Sequence, residues 1–286
     1  MDITAPAKVN LYLRVLGKMN DGYHRVETLF ERVSVLDRLS VDVSAAETVL
    51  RCDDPGVPVD KDSLMMRTVS LFRETTGYRG HFSIDLEKNI PVGAGMGGGS
   101  SDAAALLKGM NELAATGLDV DQLADIGKKL GADVPFFIYN TSFAVGSGRG
   151  DEIRTLDIPL EMAHIIINPP LRVLTSDVYA RVSCFVLTKK EAVDRMFTAF
   201  LRDGDIEGIG KNLHNDLQHI VLQDFPFLEQ VFSELREAGA EGVLLSGSGP
   251  TVFGLFKKGD IEGKADELRR VFTKEEGWRV FQAGTC

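Results

Sequence analysis

The stretch from residue 90 to residue 105, IPVGAGMGGGSSDAAA, carries five glycines within seven positions. Inside a helix or a strand each of them would cost about 0.5–1 kcal/mol relative to alanine, so this density does not suit a regular element. Glycine tolerates positive φ angles and lets the backbone approach a neighbouring group closely. The stretch therefore predicts a loop whose backbone contacts a ligand.

A helix is predicted directly behind these glycines. Ser100 and Ser101 are suitable N-cap residues. The apolar residues that follow have helical spacing: Ala103, Leu106, Leu107, Met110, Leu113 and Ala114. A glycine-rich turn at a helix N-terminus offers unpaired N–H groups and the positive end of the helix dipole to an anion. Phosphate is the predicted ligand, because a strand pattern before the loop and a capped helix after it disfavour a merely flexible turn.

The composition limits the kinds of partner. The 286 residues are 44% hydrophobic and 26% charged, which is typical of a globular protein of one or two domains. A net charge of −10 argues against a nucleic-acid-binding protein, although a nucleotide would need only one local site. The N-terminus lacks a secretory signal and no apolar run reaches the roughly 18 residues of a membrane span, so we expect no membrane partner. Cys52, Cys184 and Cys286 have no CxxC spacing, which favours a reducing cytoplasm over a disulfide framework or a zinc site.

Residues 3–16 alternate between apolar and polar side chains, which predicts a half-buried strand. Lys8 and Asn10 share its polar face near the start, where the rim of an active site could lie, and Arg14 on the same face is predicted to be solvated. Taken alone, Lys8 is predicted to be a surface lysine rather than a catalytic one. Asp133 suits the N-cap of a short helix with Pro135 in its first turn, a structural role that the local sequence does not separate from a catalytic one.

The remaining patterns mix strands and helices, with a domain boundary near residues 155–165. Strand patterns cover residues 39–43, 81–88, 143–156, 163–170, 242–256 and 278–283. Helical patterns cover residues 62–75, a segment from Asp119 or Asp121 to 130, 188–200 behind a capping-box signature, 212–222, 226–240 and about 260–273. Tyr23 and His24 follow a turn signal at residues 20–22. The Arg-Gly-Asp sequence at 149–151 is interpreted as incidental.

Three known glycine motifs were compared with the loop. A P-loop ends in Gly-Lys-Ser/Thr, whereas this loop ends in residues 99–101, Gly-Ser-Ser, and the next lysine is Lys108. A dinucleotide fingerprint fits formally at residues 93–98, but it requires an acid at the end of a second strand, and Asp119 and Asp121 open a helix instead. A protein-kinase loop requires downstream HRD and DFG segments, which the sequence lacks.

The segment PVGAGMGGGSSDAA at 91–104 resembles the phosphate loop of the GHMP small-molecule kinases, a family that includes galactokinase, homoserine kinase and mevalonate kinase. Three further segments resemble the branch of this family whose substrate is a cytidine diphosphate sugar alcohol: 5–30 with its DGYH, GADVPFF at 131–137, and LSGSGPTVFGLF at 245–256. The resemblance implies an α+β, two-domain GHMP kinase fold. Residues 1–160 would form a ribosomal-protein-S5-like, ATP-binding domain, and residues 161–286 a ferredoxin-like domain.

The resemblance also implies an activity, which is ATP-dependent phosphorylation of a 2-hydroxyl group in isoprenoid precursor biosynthesis. Asp133 matches the catalytic base of the family and Lys8 its partner. The implied ATP-binding residues are Pro91, Val92, Gly93, Ala94, Gly95, Met96, Gly97, Gly98, Gly99, Ser100 and Ser101, and the implied substrate-binding residues are Asn10, Tyr23, His24, Thr175 and Tyr179. His24 would read the edge of the cytosine and Tyr179 would stack on it.

Mg²⁺ is expected with ATP because it neutralises phosphate charge. Ser101 could contact the metal, but the sequence identifies no carboxylate ligand. The expected partners are these small molecules, with the chain a monomer or a homodimer. Two alternatives stay open: another GHMP kinase of the homoserine or mevalonate type, and a non-catalytic nucleotide-binding regulator on the same scaffold.

Overall fold

The architecture was derived from a computed structural model, which describes residues 1–182, 201–259, 261–274 and 276–286. A seven-stranded sheet has the order β3-β4-β2-β1-β8, with β5 paired to β2 and β6 paired to β5. Its strands are β1 (Asp2–Lys18), β2 (His24–Ser44), β3 (Val49–Cys52), β4 (His81–Glu87), β5 (Phe143–Ser147), β6 (Glu152–Leu156) and β8 (His214–Asn215). A four-stranded antiparallel sheet has the order β11-β7-β10-β9. Its strands are β7 (Ala163–Asn168), β9 (Gly242–Leu245), β10 (Val252–Phe256) and β11 (Arg279–Gly284).

Helices accompany both sheets, as the mixed α+β class predicts. They are α1 (Leu64–Thr76), α2 (Gly98–Leu113), α3 (Val120–Leu130), α4 (Val134–Tyr139), α5 (Thr175–Ala180), α6 (Ile206–Asn212), α7 (Gln218–Asp224), α8 (Leu228–Glu237) and α9 (Glu262–Phe272). Local signals set several of their ends. Ser63 caps α1 by accepting from Met66 N, and Asp119 forms a capping box with Gln122 at the start of α3.

Strand β1 is buried on both faces, whereas alternation predicted only one. Residues 7–15 are all buried, and Arg14, predicted to be solvated, is only 2% exposed. The second sheet covers the apolar face, since Val9 and Leu11 share a buried cluster with Phe253 and Leu255 of β10. Arg14 itself lies in the strand between β2 and β8, opposite Glu27 of β2. The polar face of β1 also lies inside the protein, since Lys8, Asn10 and Arg14 are all buried.

The start of α2 also differs from the prediction. The helix begins at Gly98, and its N-cap is Gly97, with a φ of 72° and no side-chain capping bond. Ser100 and Ser101, predicted as caps, lie within the first turn instead. Three glycines with positive φ angles precede the helix and turn the chain into it. The turn therefore forms without a side-chain cap.

The segment 212–222 is not the single helix that its pattern predicted. It divides into the end of α6, the short strand β8 and α7. Asn215 causes the break, since its side chain accepts from Leu217 N and donates to the carbonyls of Leu245 and Gly247. Those bonds tie β8 to the end of β9 and the turn that follows it, while β8 pairs with β1 in place of a helical turn.

Two predictions stay open: the helix at 188–200 and the domain boundary near residue 160. The capping box at 188–191 and the helix behind it lie outside the described residues. The boundary between residues 160 and 161 falls in the connection from β6 to β7 and stays a prediction. Among the described residues, no helix combines the length and the apolar character needed to cross a bilayer.

Candidate active site

The glycine loop between β4 and α2 contains three glycines in the left-handed region. Gly93, Gly95 and Gly97 have φ angles of 70°, 74° and 72°. A Cβ on Gly95 would lie 2.2 Å from the carbonyl oxygen of Ser246, and one on Gly97 would lie 3.1 Å from Lys8 Cγ. These glycines are therefore required by close packing within the protein as well as by their backbone angles.

The first turn of α2 presents unpaired donors. Ser101 N donates to Gly97 O at 2.9 Å. The preceding N–H groups, on Gly98, Gly99 and Ser100, have no intrahelical acceptor, as at any helix N-terminus. These three residues line a cavity, so their N–H groups and the positive end of the helix dipole are available to an anion there.

That cavity has a volume of about 1060 Å³ and collects nearly all of the predicted site residues. Its lining includes every loop residue from Pro91 to Ser100 together with Lys8, Asn10, Tyr23, His24, Asp133, Thr175 and Tyr179. Ser101 is the exception among the predicted residues, because it is 1% exposed and does not line the cavity. Lys8 and Tyr179, 171 positions apart in sequence, thus meet around one space.

Lys8 and Asp133 form the charged centre of this cavity. Lys8 Nζ lies 3.8 Å from Asp133 Oδ2 and donates to Asn10 Oδ1 at 2.6 Å and to Gly95 O at 2.8 Å. Lys8 is 3% exposed, and burial lowers the pKa of its ammonium group while Asp133 opposes that shift. The surface-lysine interpretation is therefore wrong.

Asp133 occupies the N-cap position of α4, with Pro135 in the first turn, but its carboxylate makes no capping bond. The side chain is instead about one-third exposed toward the cavity, where it faces Lys8. A carboxylate that is free of its own helix can accept a proton from a bound group. Asp133 thus stands at the N-cap position that the local sequence predicts, but its side chain does not cap the helix.

A turn from the second half of the chain completes the centre, and the sequence did not assign its residues individually. Ser246 Oγ donates to Gly95 O at 2.9 Å. Gly247 packs against Lys8 and Asn10, since a Cβ there would lie 3.3 Å from Lys8 Nζ and from Asn10 Oδ1. Ser248 Oγ is 2.8 Å from Thr175 Oγ1, which connects the turn to α5. The glycines and the proline in the sequence LSGSGP at 245–250 indicate this turn.

The aromatic end of the cavity contains His24, Tyr179 and Tyr23. The rings of His24 and Tyr179 touch, with centroids 5.3 Å apart and planes 35° apart. A base stacked between two rings needs about 7 Å, because each contact requires about 3.5 Å, so these two rings do not enclose one here. Burial and the nearby Lys18 lower the pKa of His24, which favours the neutral imidazole with one donor and one acceptor nitrogen.

A buried acid–base cluster lies beneath the first turn of α2, and the sequence did not predict it. Lys88 Nζ donates to Asp102 Oδ2 at 2.8 Å and to Asp37, whose other oxygen accepts from the backbone of Asn89 and Ile90. Asp102 Oδ1 is buried without a partner. Burial raises the pKa of Asp102 to about 7, against the lowering effect of Lys88.

This shift predicts a pH-dependent stability. An unfolded chain releases the Asp102 proton near pH 4, so between about pH 4 and pH 7 the folded protein holds more protons than the unfolded one. The free energy of unfolding should accordingly fall as the pH rises through this window. In Asp102→Asn this decline should be reduced when urea unfolding is followed across the same pH range. Equal slopes in the two proteins would contradict the assignment.

Comparison with known proteins identifies the fold and the family. Residues 63–141 match the family model of the GHMP kinases N terminal domain, and residues 196–274 match that of the GHMP kinases C terminal domain. The 4-diphosphocytidyl-2-C-methyl-D-erythritol kinase of Syntrophotalea carbinolica is 37% identical over 278 residues, which are 97% of this chain and 96% of the relative.

Solved structures agree with these matches. A crystal structure of 4-(cytidine 5'-diphospho)-2C-methyl-D-erythritol kinase has a TM-score of 0.81 and 34% identity, with 100% of both chains covered. Homoserine kinase from Cytophaga hutchinsonii, at a TM-score of 0.74 and 20% identity with 100% of this chain and 94% of that chain covered, shares the fold alone. The predicted two-domain GHMP kinase fold is thus confirmed. The chain belongs to the GHMP kinase family, and within it to the 4-diphosphocytidyl-2-C-methyl-D-erythritol kinases.

Proposed function

We propose that the protein transfers the γ-phosphoryl group of ATP to the 2-hydroxyl of 4-diphosphocytidyl-2-C-methyl-D-erythritol. The observation that carries this proposal is the placement of Lys8 and Asp133, 3.8 Å apart, in the same cavity as the first turn of α2. Phosphoryl transfer needs a site for the phosphates, a proton acceptor for the attacking hydroxyl and compensation of developing charge. The cavity offers each of these within one space.

Asp133 is the general base in this proposal. Its carboxylate accepts the proton of the substrate hydroxyl as the oxygen attacks the γ-phosphorus, and ADP leaves. Lys8 keeps a positive charge beside this carboxylate and the transferred group. Lys8 is fixed by Asn10 and Gly95 O, so little reorganisation is needed when the charge develops.

The ATP loop runs from Pro91 to Ser101 in the proposal, with its phosphates at the N–H groups of Gly98, Gly99 and Ser100. Mg²⁺ would neutralise part of their charge. Among the described residues, no cluster of three or more acidic, histidine or cysteine side chains forms a metal site. Ser101 Oγ, the expected metal contact, is buried without a partner and lies outside the cavity lining, so its contact with Mg²⁺ stays a prediction. The chain therefore fits a metal that is bound chiefly through the nucleotide.

The acceptor binds on the opposite side of Lys8. Asn10 donates to Thr28 Oγ1 at 2.7 Å, which orients its amide, and it lies next to the hydroxyl to be phosphorylated. Thr175 reaches the sugar alcohol from α5. Tyr23, His24 and Tyr179 receive the cytosine, with His24 reading its edge. This assignment requires the His24–Tyr179 contact to adjust when the base enters. A cytoplasmic location is part of the proposal, because ATP is the donor.

The test of this function is ADP release with purified protein and four acceptors: the cytidyl substrate, homoserine, mevalonate and galactose. Turnover confined to the cytidyl substrate is expected. Turnover with homoserine or mevalonate alone would reassign the substrate while keeping the kinase. Binding of ATP without turnover of any acceptor would favour a regulator on the same scaffold.

Gly95→Ala should damage the donor side of the site. Alanine at a φ of 74° costs about 1–2 kcal/mol, and its Cβ would overlap Ser246 O. We expect kcat/KM for ATP to fall at least about tenfold, since 1.4 kcal/mol corresponds to that factor. Gly77→Ala is the matched comparison, because Gly77 has a similar φ of 72°, an added Cβ there would meet nothing within 4 Å, and the residue does not line the cavity. An equal effect of both substitutions would contradict the role of the Gly95–Ser246 contact.

A further inference from the structure

The turn between β5 and β6 contains the Arg-Gly-Asp sequence that the sequence interpretation set aside. Arg149 Nη2 and Nε donate to Asp151 Oδ2 at 2.7 and 3.1 Å, and Arg149 N donates to Asp151 Oδ1 at 3.1 Å. Asp151 is 8% exposed. The carboxylate therefore holds both the backbone and the guanidinium of Arg149 in one orientation.

Two backbone bonds fix this turn relative to the acceptor side of the cavity. Gly150 N donates to Ser147 O at 2.9 Å and closes the turn. Val26 N donates to Gly148 O at 2.8 Å, which ties the turn to β2 two residues beyond His24. Arg149 and Gly150 themselves line the cavity. The guanidinium is thus held at the aromatic end of the site by contacts that do not involve a ligand.

Tyr23 lies directly beneath that guanidinium. The Arg149 Cζ atom is 5.0 Å from the centroid of the Tyr23 ring, within the range of a cation–π contact. The backbone of Tyr23 is fixed, because Tyr23 N donates to Asp21 Oδ1 and Tyr23 O accepts from Met19 N. Its side chain is 58% exposed, so few other contacts restrict the ring.

We propose that Arg149 is a positioning residue for Tyr23. Its ion pair with Asp151 fixes the guanidinium, and the guanidinium covers one face of the tyrosine ring. The opposite face is thereby presented to the cytosine of the acceptor. This inference rests on the proposed function, because it assumes that a cytosine base is bound at Tyr23. Arg149 acts through the ring and makes no hydrogen bond to the substrate.

Arg149→Met removes the cation and keeps most of the apolar stem. The KM for the cytidyl substrate should rise about three- to thirtyfold, the range expected for loss of a cation–π contact. The kcat and the KM for ATP should stay within about twofold of wild type. Arg149→Lys retains a cation above the ring and should recover part of the loss. Calorimetric titration with cytidine 5'-diphosphate in the absence of ATP should give the highest affinity for wild type, an intermediate affinity for Arg149→Lys and the lowest for Arg149→Met.

A double-mutant cycle with Tyr23→Ala separates positioning from direct contact. If Arg149 acts through the ring, adding Arg149→Met to Tyr23→Ala should leave the KM for the cytidyl substrate unchanged. An equal further loss in the double mutant would overturn the proposal and make Arg149 a direct ligand of the substrate. A rise in the KM for ATP of the same size, or no change in either KM, would also overturn it.

The control is Arg51→Met, which removes an exposed ion pair at 3.1 Å between Arg51 of β3 and Asp85 of β4 and should leave all constants unchanged. Thermal unfolding of each variant shows whether the turn still folds, and Arg149→Lys keeps the test informative if Arg149→Met is unstable. Failure of the proposed function would appear differently. In that case the wild-type protein and every Arg149 variant would fail both to phosphorylate the cytidyl substrate and to bind cytidine 5'-diphosphate.

Discussion

Replacing Asp133 by asparagine is expected to lower kcat by about 10²–10⁴-fold, the usual contribution of a general base. Asparagine keeps the size of the side chain but cannot take up the proton of the attacking hydroxyl. ATP affinity should remain near the wild-type value, because the proposed phosphate contacts come from the glycine loop and the first turn of α2. Single-turnover kinetics with the cytidyl substrate and calorimetric titration of ATP measure these two quantities separately.

The same substitution distinguishes catalysis from helix capping. Asparagine is as good an N-cap residue as aspartate, and the Asp133 carboxylate makes no capping bond. The melting temperature of Asp133→Asn should therefore stay close to that of wild type. Asp85→Asn, an exposed site on β4, is the matched control for the loss of one carboxylate. Wild-type turnover in Asp133→Asn would return this residue to a structural role.

Lys8→Met should lower kcat by about 10²–10³-fold, the loss typical when one preorganised donor is removed from a transition state. Methionine fills a similar volume, so the change removes the ammonium group and its bonds to Asn10 Oδ1 and Gly95 O with little change in packing. Arginine should not restore the rate, since the stem of Lys8 already packs closely against Gly97.

The pH profile adds a second measurement on Lys8. Burial lowers the pKa of its ammonium group, so Lys8 loses its proton at a lower pH than an ordinary lysine. If the charged form is required, the alkaline decline of kcat in wild type should begin at a lower pH than the deprotonation of an ordinary lysine and should be absent in Lys8→Met. Lys258→Met, on an exposed side chain paired with Glu161, controls for the loss of one surface cation. An unchanged kcat in Lys8→Met would exclude Lys8 from the transition state.

The sequence predicted well where a local physical cause decides the structure. Periodicity located β4 and α1, and the two candidate first residues, Asp119 and Asp121, placed the start of α3 to within two positions. The glycine loop was predicted at a helix N-terminus because its own residues favour positive φ angles and the apolar residues behind it have helical spacing. Each of these features depends on neighbours within a few positions along the chain.

The predictions failed where a segment distant in sequence determines the environment of a residue. Arg14 is buried in a strand that β2 and β8 flank, and β8 comes from about two hundred positions later, which no pattern within residues 3–16 reveals. The helix expected at 212–222 is interrupted because Asn215 bonds to carbonyls some thirty residues later. Lys8 could not be told from a surface lysine until Gly95 and Asp133 were seen around it. The Arg-Gly-Asp sequence at 149–151 looked incidental because Tyr23, which makes the cation–π contact with Arg149, lies more than a hundred positions away.

The contact between Gly95 and Ser246 has an evolutionary consequence. Ser246 Oγ donates to the same Gly95 carbonyl that accepts from Lys8, and no side chain fits between the two backbones at this point. A substitution in either loop therefore changes the shape required of the other, although 151 positions separate them. Chimeras between relatives should retain activity more often when both loops come from the same parent.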